Sequence, residues 1–388
     1  MHFVVLDSDV RDAAHPGADL ASVRWQNGNQ AFIVVRYAAV RDLLRDNQLV
    51  LSEVATMLHK LSSRTDGGFR NLLLLTGTTH PFQNEPAHGQ SRPWFREVLL
   101  QIVRRWTPEA VSAWTSARLA TLPLEGVADA VHLLAEALPE AIVADSMNLA
   151  PAEVHRIAAL SRQMSEIWKR RIHSMRELQS MERAADHLVN LLDQRAADLR
   201  QALGHPPAGK EERHDYARMA FLVAAGVETT AGALASALDL LCRFPELQAE
   251  LRRNPGEVAT FVDEVLRLCP PLRRSVARIA LTDLHLDGTD IPRGSRLLLD
   301  IERANRDPAI FERPDELDLS REGPAHLTFG GGAHACVGAT LAKVELRAAL
   351  GHVVANYALR QAGKAQLRPG DTFRQYEKLP IRFQKLAA

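Results

Sequence analysis

Cysteine is scarce in this sequence: Cys242, Cys269 and Cys336 are the only three in 388 residues. Three scattered cysteines cannot supply a disulfide framework, and we expect the reducing cytoplasm as the compartment. An excess of charge of one sign is also lacking, because Lys plus Arg and Asp plus Glu number 47 each. This balance argues against a general nucleic-acid binder, so any basic patch must be local.

The sequence also lacks an uninterrupted apolar run of membrane-spanning length. The best candidate, residues 219–241, contains Glu228, Thr229, Thr230 and Asp239. A charge at mid-bilayer costs about 2.5–3.5 kcal/mol, so we interpret this stretch as a helix buried in a large core and expect no membrane span. The first ten residues carry acids and no basic segment, so we expect no signal peptide.

Hydrophobic periodicity predicts a mainly α fold with a small β-rich part, organised as a single domain over residues 1–388. Helices are predicted over most of 92–215, with breaks at Thr107-Pro108, 149–151 and 204–209, and also over 219–241 and at about 338–357. Asn254-Pro255 is expected to cap and begin a further helix that ends near Leu268. Short strands are predicted around an Asn27-Gly28 turn and again between 284 and 299, where Asp287-Gly288 is predicted to form a turn. Residues 55–86 mix Gly, Thr, Ser, Asn and Pro, which predicts a long irregular loop.

One cysteine lies in a glycine-rich bend that leads into the last predicted helix. The segment reads Phe329-Gly-Gly-Gly-Ala-His334-Ala-Cys336-Val-Gly338. Main-chain N–H groups and the helix dipole there favour a thiolate, the form of cysteine that binds metals. A lone thiolate cannot complete a tetrahedral zinc site, and His334 is too near for the usual ligand spacing. A cofactor that already supplies four ligands would need only Cys336; the alternative is a buried cysteine beside a turn.

This segment resembles the haem-binding loop of the cytochrome P450 family, Phe-Gly-x-Gly-x-His-x-Cys-x-Gly, at every fixed position. The resemblance implies that Cys336 is the axial thiolate ligand of a haem b iron and that His334 donates to a haem propionate. It also implies that Phe329, Gly330 and Gly338 belong to the cofactor-binding loop. The resemblance covers nearly the whole chain, most strongly residues 222–350, and implies the single, mostly helical domain of that family.

Two further motifs of the family concern the support of the cofactor. Glu264-Val-Leu-Arg267 matches its Glu-x-x-Arg pair, which braces the loop beneath the haem; residues at i and i+3 share a helix face, although a surface pair is the alternative. His88-x-x-x-Arg92 and Arg278 would pair with the propionates, which are costly to bury without cations. The sequence departs from the family at Glu316 and Leu317, so a third partner of the pair is not identified, and Pro93 is unusual inside that helix.

The apolar helix carries a third motif, Ala225-Gly226-Val-Glu228-Thr229-Thr230. It resembles the oxygen-binding groove of the family, in which Ala225 and Gly226 leave room for O2. Thr229 would hydrogen-bond the bound oxygen and Glu228 would relay protons, which oxygen activation in a dry site requires. The alternative is that the Thr229 hydroxyl bonds back to its own helix.

The resemblance places the substrate pocket between residues 55–86, 149–175 and 272–277, with Phe221 and Phe373. Arg273 and Arg274 are unexpected, because relatives usually place apolar residues there. We expect Arg274 to point into the pocket and bind a carboxylate or another anion. The alternative is that both arginines serve the propionates or solvent. Residues 168–171 form either a basic lid or a solvated helix face.

No flavin or iron–sulfur segment is evident, so electrons are expected from a separate ferredoxin and its NAD(P)H-dependent reductase. The candidate docking residues are Arg96, Arg104, Arg105, Lys343 and Arg347. The implied enzyme is a bacterial-type monooxygenase that hydroxylates or epoxidises a small organic substrate, in a biosynthetic or catabolic pathway. The alternatives are oxidative coupling, ring formation or desaturation with the same cofactor, and a non-catalytic haem sensor, against which Glu228 and Thr229 argue.

Overall fold

The computed structural model describes residues 2–5, 22–51, 54–65, 67–77, 83–123, 125–169, 174–203, 212–370 and 372–387. Helices dominate these ranges and the strands are short, which confirms the predicted fold class. The helices are α1 (Tyr37–Leu43), α2 (Val54–Arg64), α3 (Arg70–Gly77), α4 (Ala87–Arg105), α5 (Pro108–Leu119), α6 (Ala137–Met147), α7 (Pro151–Lys169), α8 (Met175–Leu203), α9 (Glu212–Arg243), α10 (Pro245–Arg253), α11 (Val258–Leu268), α12 (Ile301–Ala304) and α13 (Ala339–Asn356). The strands are β1 (His2–Val4), β2 (Val23–Gln26), β3 (Ala31–Val34), β4 (Leu49–Leu51), β5 (Glu125–Asp129), β6 (Arg278–Ala280), β7 (Leu284–Leu286), β8 (Thr289–Ile291), β9 (Arg296–Leu299), β10 (Glu316–Asp318), β11 (Tyr357–Gln361), β12 (Gln366–Leu367), β13 (Tyr376–Lys378) and β14 (Pro380–Lys385).

Helix α9 is the predicted apolar helix and forms the centre of the molecule. In the described ranges it is the one helix long and apolar enough to cross a membrane, and 72% of its most apolar window is buried. It packs against α3, α6, α7 and α13. A Cβ at Gly232 would lie 2.5 Å from the carbonyl oxygen of Arg374. Glycine at that position therefore lets the segment that carries Phe373 lie directly on α9.

The β-rich part is built mainly around a five-stranded sheet of order β2-β3-β9-β6-β4. The predicted hairpin is present as β2 and β3, joined by residues 27–30. The predicted Asp287-Gly288 turn joins β7 and β8, with φ of 47° and 79° at its two residues. A separate sheet of order β11-β14-β5 closes the C-terminal end, and β5 was not predicted from its sequence.

The prediction of an irregular loop over residues 55–86 is wrong for most of the described residues in this range, which fold as α2 and α3. Both helices bury leucines in the core, among them Leu58 and Leu72. The free amides in the first turn of α3 find their acceptor on another helix, because the Glu182 carboxylate accepts from the amides of Asn71 (3.1 Å) and Leu72 (2.8 Å). A cap supplied from a distant helix leaves no signal in the local sequence.

Two smaller boundaries also differ from the prediction. Asn254 was expected to cap the next helix, but its side chain donates to Glu250 instead, and Pro255–Glu257 form a 3-10 turn before α11 begins. The predicted break at 204–209 lies outside the described residues.

Candidate functional site

A cavity of about 430 Å³ lies between α9 and the loop that carries Cys336. Both walls hold residues that the sequence singled out. On the loop side they are His334, Cys336, Gly338, Phe329 and Gly330, and on the α9 side they are Phe221, Ala225, Gly226, Glu228 and Thr229. The structure therefore brings together motifs that are about a hundred residues apart in the chain.

The fold of the loop sets the direction of the Cys336 side chain. The Cys336 amide donates to the Phe329 carbonyl (2.8 Å), which closes the bend just before α13. Gly332 has φ of 64°, and a Cβ there would lie 2.9 Å from the Leu44 carbonyl oxygen. Glycine is required at that position by both its conformation and its contact.

Cys336 lies at the start of α13 and is accessible from the cavity. Enclosure by the surrounding protein raises the pKa of its thiol, whereas the nearby amides of Gly338 and Ala339 and the charge of Arg92 lower it. The expected thiolate is thus favoured by the helix end, but burial outweighs that effect in the protein alone. A metal cation against the sulfur would offset the cost of the thiolate. Among the described residues, no group of His, Cys, Asp or Glu could hold a metal ion by itself, so its other ligands would come from a cofactor.

Four basic side chains, His88, Arg92, Arg278 and His334, line one wall of the cavity. The rings of His88 and His334 have centroids 4.0 Å apart, and Arg92 donates to the Ala335 carbonyl at 2.9 Å. Burial, followed by the charges of His88, Arg278 and Arg92, lowers the pKa of His334 to about 4. Within the described chain, Arg278 Nε and His334 Nδ1 are buried without a hydrogen-bond partner. Such a wall requires a ligand that brings negative charge.

These observations fit a haem, whose two propionates would meet the basic wall and whose iron would meet the sulfur of Cys336. Glu85 approaches His88 at 3.2 Å but is itself largely exposed, with 64% of its side-chain area accessible. The residues that the resemblance assigned to the propionates are therefore together in space.

The polar residues of α9 face the cavity from the other wall. The Thr229 hydroxyl donates to the Ala225 carbonyl at 2.6 Å, which is the back-bonded geometry of the alternative interpretation. Its oxygen lone pairs remain able to accept a hydrogen bond from within the cavity. Glu228 is buried and its carboxylate accepts from Arg162 Nε at 2.7 Å and from Gln375 Nε2 at 3.4 Å.

The Glu264–Arg267 pair is buried and bidentate, with Nε to Oε1 at 2.6 Å and a second bond at 2.9 Å. Arg267 also donates to the carbonyl oxygens of Pro314 and Glu316. The third partner, which sequence could not identify, is Arg321, whose Nε lies 3.1 Å from Glu264 Oε1. Sequence reasoning missed it because it lies a few residues beyond the position where the family usually has an arginine.

The residues proposed for substrate contact divide into two groups. Phe221 and Phe373 line the cavity, together with Leu75 from α3 and Met164 from α7. Arg274 also lines it, but its Nε lies 3.6 Å from Asp300 Oδ2.

Three further groups can be located. Arg273 Nε pairs with Glu302 Oε2 at 2.7 Å. Its side chain is therefore engaged in an ion pair within the protein. The expected basic lid at residues 168–171 lies outside the described side chains, because the description there covers only the main chain of residues 168 and 169 at the end of α7. Of the proposed docking residues, Lys343 and Arg347 both pair with Asp263, Arg105 pairs with Asp145, and Arg96 and Arg104 are exposed.

The sequence profile described as Cytochrome P450 matches residues 143–375 of this chain. Polyketide biosynthesis cytochrome P450 PksS of Bacillus subtilis is 30% identical, over 92% of this chain and 89% of that protein. Pentalenic acid synthase of Streptomyces avermitilis is 27% identical, over 95% of this chain and 92% of that protein. Cytochrome P450 144 of Mycobacterium tuberculosis is 46% identical, but the match spans only 34% of this chain and 30% of that protein. Among solved structures, CalO2 superposes with a TM-score of 0.85 at 25% identity, over 97% of both chains.

Proposed function

Because this chain belongs to the cytochrome P450 family, we propose that it is a haem-thiolate monooxygenase that oxidises a small organic molecule with O2. The observation that carries the proposal is the position of Cys336, which lines the same cavity as the basic wall and the polar residues of α9. Electrons would come from a separate ferredoxin and its NAD(P)H-dependent reductase. A role in a bacterial biosynthetic pathway is supported by the names of relatives such as pentalenic acid synthase.

In this proposal, Cys336 holds the iron, and His88, Arg92, Arg278 and His334 hold the propionates. When bound there, the haem supplies four nitrogen ligands and the redox chemistry that activates O2. The basic wall loses its unfavourable charge when carboxylates enter it, so these four residues both bind and orient the cofactor. The apolar remainder of the cavity excludes water and holds the body of the substrate.

Thr229 and Glu228 handle protons in the proposed reaction. Since the Thr229 hydroxyl donates its hydrogen bond to the Ala225 carbonyl, its Oγ1 acts as an acceptor toward the cavity and orients a donor there. Glu228 pairs with Arg162, whose side chain is 32% exposed and so links the buried carboxyl group to solvent. A proton taken up on Glu228 can reach the cavity once the carboxyl turns away from Arg162.

The proposal is tested by reconstituting the enzyme with a ferredoxin, its reductase and NAD(P)H. Ligands are first found by a Soret-shift screen, and products are then identified by mass spectrometry with ¹⁸O2. We expect one labelled oxygen in the product, and we expect Thr229→Ala to consume NAD(P)H with much less product while Thr229→Ser retains it. Tight ligand binding without any NAD(P)H-dependent product would instead identify a haem sensor.

A further inference from the structure

A cluster of arginines gathers around Asp300, where β9 leads into α12. The Asp300 carboxylate is buried, and its Oδ1 caps α12 by accepting from the Arg303 amide at 3.0 Å. Its Oδ2 lies 3.6 Å from Arg274 Nε and 3.8 Å from Arg303 Nε. Both distances are those of loose ion pairs rather than of hydrogen bonds.

A third guanidinium approaches the same place from β2. Burial lowers the pKa of Arg24, the charges of Arg303 and Arg274 lower it further, and Asp300 raises it. Strand β2 pairs with β3, and β3 pairs with β9, so Arg24 lies in the same sheet as the strand that leads to Asp300. The charges of the three guanidinium groups act on one another there. Within the described chain, the side chains of Arg24 and Arg303 make no hydrogen bond, although only 14% of the Arg303 side chain is exposed.

The neighbouring acid, Glu302, forms close ion pairs with two arginines, in contrast to Asp300. Arg273 Nε lies 2.7 Å from one of its oxygens, and Arg374 donates to the other. Although burial raises it, these two arginines lower the pKa of Glu302 to about 2. At Asp300 the opposite holds, because burial raises the pKa and the nearby arginines do not overcome it. Asp300 is thus a weak counter-ion for the cations around it.

Partly buried cations are unfavourable unless they are hydrogen-bonded to an anion. The planar guanidinium donates in a fork that matches the oxygens of a carboxylate or phosphate. Arg24 and Arg303 have such forks with no acceptor in the described structure, which makes the cluster suited to an added oxyanion.

The cluster borders the cavity of Cys336. Arg274 lines that cavity, together with Asn29 from the β2–β3 turn, Ser275 and Ile301. An oxyanion bound at the arginines would therefore belong to a molecule whose remainder extends into the cavity.

We propose that Arg24, Arg274 and Arg303 form the binding site for an oxyanion of the substrate, which makes the substrate an apolar molecule with a carboxylate or phosphate at one end. The proposal rests on the proposed monooxygenase function, because it assigns the substrate class of that cavity. The sequence analysis expected Arg274 alone to bind an anion, and the proposal adds Arg24 and Arg303 to that site.

The first experiment measures anion binding without any turnover. Thermal unfolding of the holoenzyme is followed while chloride is replaced by inorganic phosphate at constant ionic strength. We expect phosphate to raise the Tm of the wild type and of Arg293→Gln, whose arginine is exposed elsewhere in the β-rich part. We expect a smaller or absent rise for Arg24→Gln and Arg303→Gln. The same rise in all four proteins, or none in the wild type, overturns the proposal.

The second experiment identifies the source of the oxyanion by Soret titration with dodecanoate, dodecyl phosphate and dodecanol. We expect at least one anionic probe to bind the wild type about tenfold tighter than the alcohol, because hydrogen bonds to charged groups are stronger than those to neutral ones. The tighter of the two anions gives the chemical class. The advantage should vanish in the Arg24→Gln/Arg303→Gln double variant, while dodecanol binding stays constant.

Equal binding of acid and alcohol by the wild type, or an advantage that survives in the double variant, contradicts the proposal. A normal thiolate spectrum of the reduced carbon monoxide complex in every variant shows that such a result concerns the anion site alone. Loss of that spectrum in the wild type would instead overturn the proposed function.

Discussion

Glu345, in the middle of α13, is a carboxyl group buried against the cavity wall with 3% of its residue area exposed. Among the described residues, its Oε2 has no hydrogen-bond partner. Burial raises the pKa of Glu345 well above the ordinary value. We therefore expect the group to keep its proton in the folded protein at neutral pH, because a buried carboxylate without a partner is costly.

This state predicts a particular pH dependence for Glu345→Gln. Above about pH 4.5 the unfolded chain loses the proton that the native state keeps, so the free energy of unfolding falls as pH rises, by up to about 1.4 kcal/mol per unit. Glutamine removes this dependence. We expect wild type and variant to be similar near pH 5 and the variant to be more stable at pH 8, by chemical denaturation.

The matched control is Glu246→Gln, since Glu246 is exposed on α10 and its substitution should leave the pH profile unchanged. Parallel stability profiles for wild type and Glu345→Gln would show that Glu345 is ionised in the folded protein.

Arg321 is the residue that completes the brace beneath the Cys336 loop. It is 11% exposed, bonds Glu264 and also donates to the carbonyls of Glu312 and Glu316. Arg321→Ala removes one of the two charged donors to Glu264 and to the Glu316 carbonyl, as well as the donor to the Glu312 carbonyl. Since hydrogen bonds to charged groups are worth about 1.5–3 kcal/mol, we expect a loss of that size in the free energy of unfolding, with faster haem loss. Arg313→Ala is the control: its side chain is 43% exposed, and it should cost below about 1 kcal/mol. Equal losses in the two variants would mean that Arg321 is an ordinary surface residue.

At the scale of elements, α3 depends on α8 for its first turn. Glu182 accepts from two amides of α3, and Asp186 accepts from the Asn71 side chain at 2.7 Å. Burial raises the pKa of Glu182 above its ordinary value, while the amides of Leu72 and Asn71 lower it. Because Leu75 of α3 lines the cavity, this contact connects a helix cap to the shape of the pocket.

Glu182→Ala should therefore loosen α3 selectively. We expect a cost of about 0.5–2 kcal/mol, the usual value of a lost cap, and faster hydrogen exchange at Arg70–Gly77 than elsewhere. Arg183→Ala changes the exposed neighbour and should leave that exchange unchanged. Unaltered protection of α3 in Glu182→Ala would show that its packing alone maintains it.

The elements that sequence predicted are those whose signals are local. The long helix α9 follows from its apolar length, and the start of α5 follows from Thr107, whose hydroxyl accepts from the Ala110 amide at 3.4 Å. The missed elements depend on distant partners. Strand β5 is short and has little alternation, and it exists through pairing with β14 near the other end of the chain. Helix α3 needs Glu182, which is 110 residues from Leu72.

At the scale of the whole molecule, the candidate site also divides into residues with a local sequence signal and residues that depend on distant partners. The Cys336 loop and its partners could be named in advance, because each is carried by a short contiguous motif. Arg24 and Arg303 could not, since nothing in either local sequence relates it to Asp300 until β2, β9 and α12 come together. The unexpected arginines Arg273 and Arg274 were the local sign of that region.

The charge of the whole molecule is balanced, so the proposed docking of an acidic ferredoxin would depend on local basic residues. Arg96 and Arg104 of α4 are exposed, whereas Lys343 and Arg347 share Asp263. We expect Arg96→Gln/Arg104→Gln to raise the KM for ferredoxin several-fold at low salt with little change in kcat, because steering charges act on association. The difference should shrink at high salt, and Arg293→Gln should leave both constants unchanged. A change in kcat alone would place these arginines outside the docking surface.

The central claim is that Cys336 binds the haem iron, and the spectrum of the reduced carbon monoxide complex tests it most directly. Cys242 is the control, since burial and Asp239 raise the pKa of its thiol to about 12 and keep it protonated. We expect the wild type and Cys242→Ala to absorb at the position typical of a thiolate ligand, and Cys336→Ala to lose that absorption. A thiolate spectrum that persists in Cys336→Ala, or its absence from the wild type, would contradict the account.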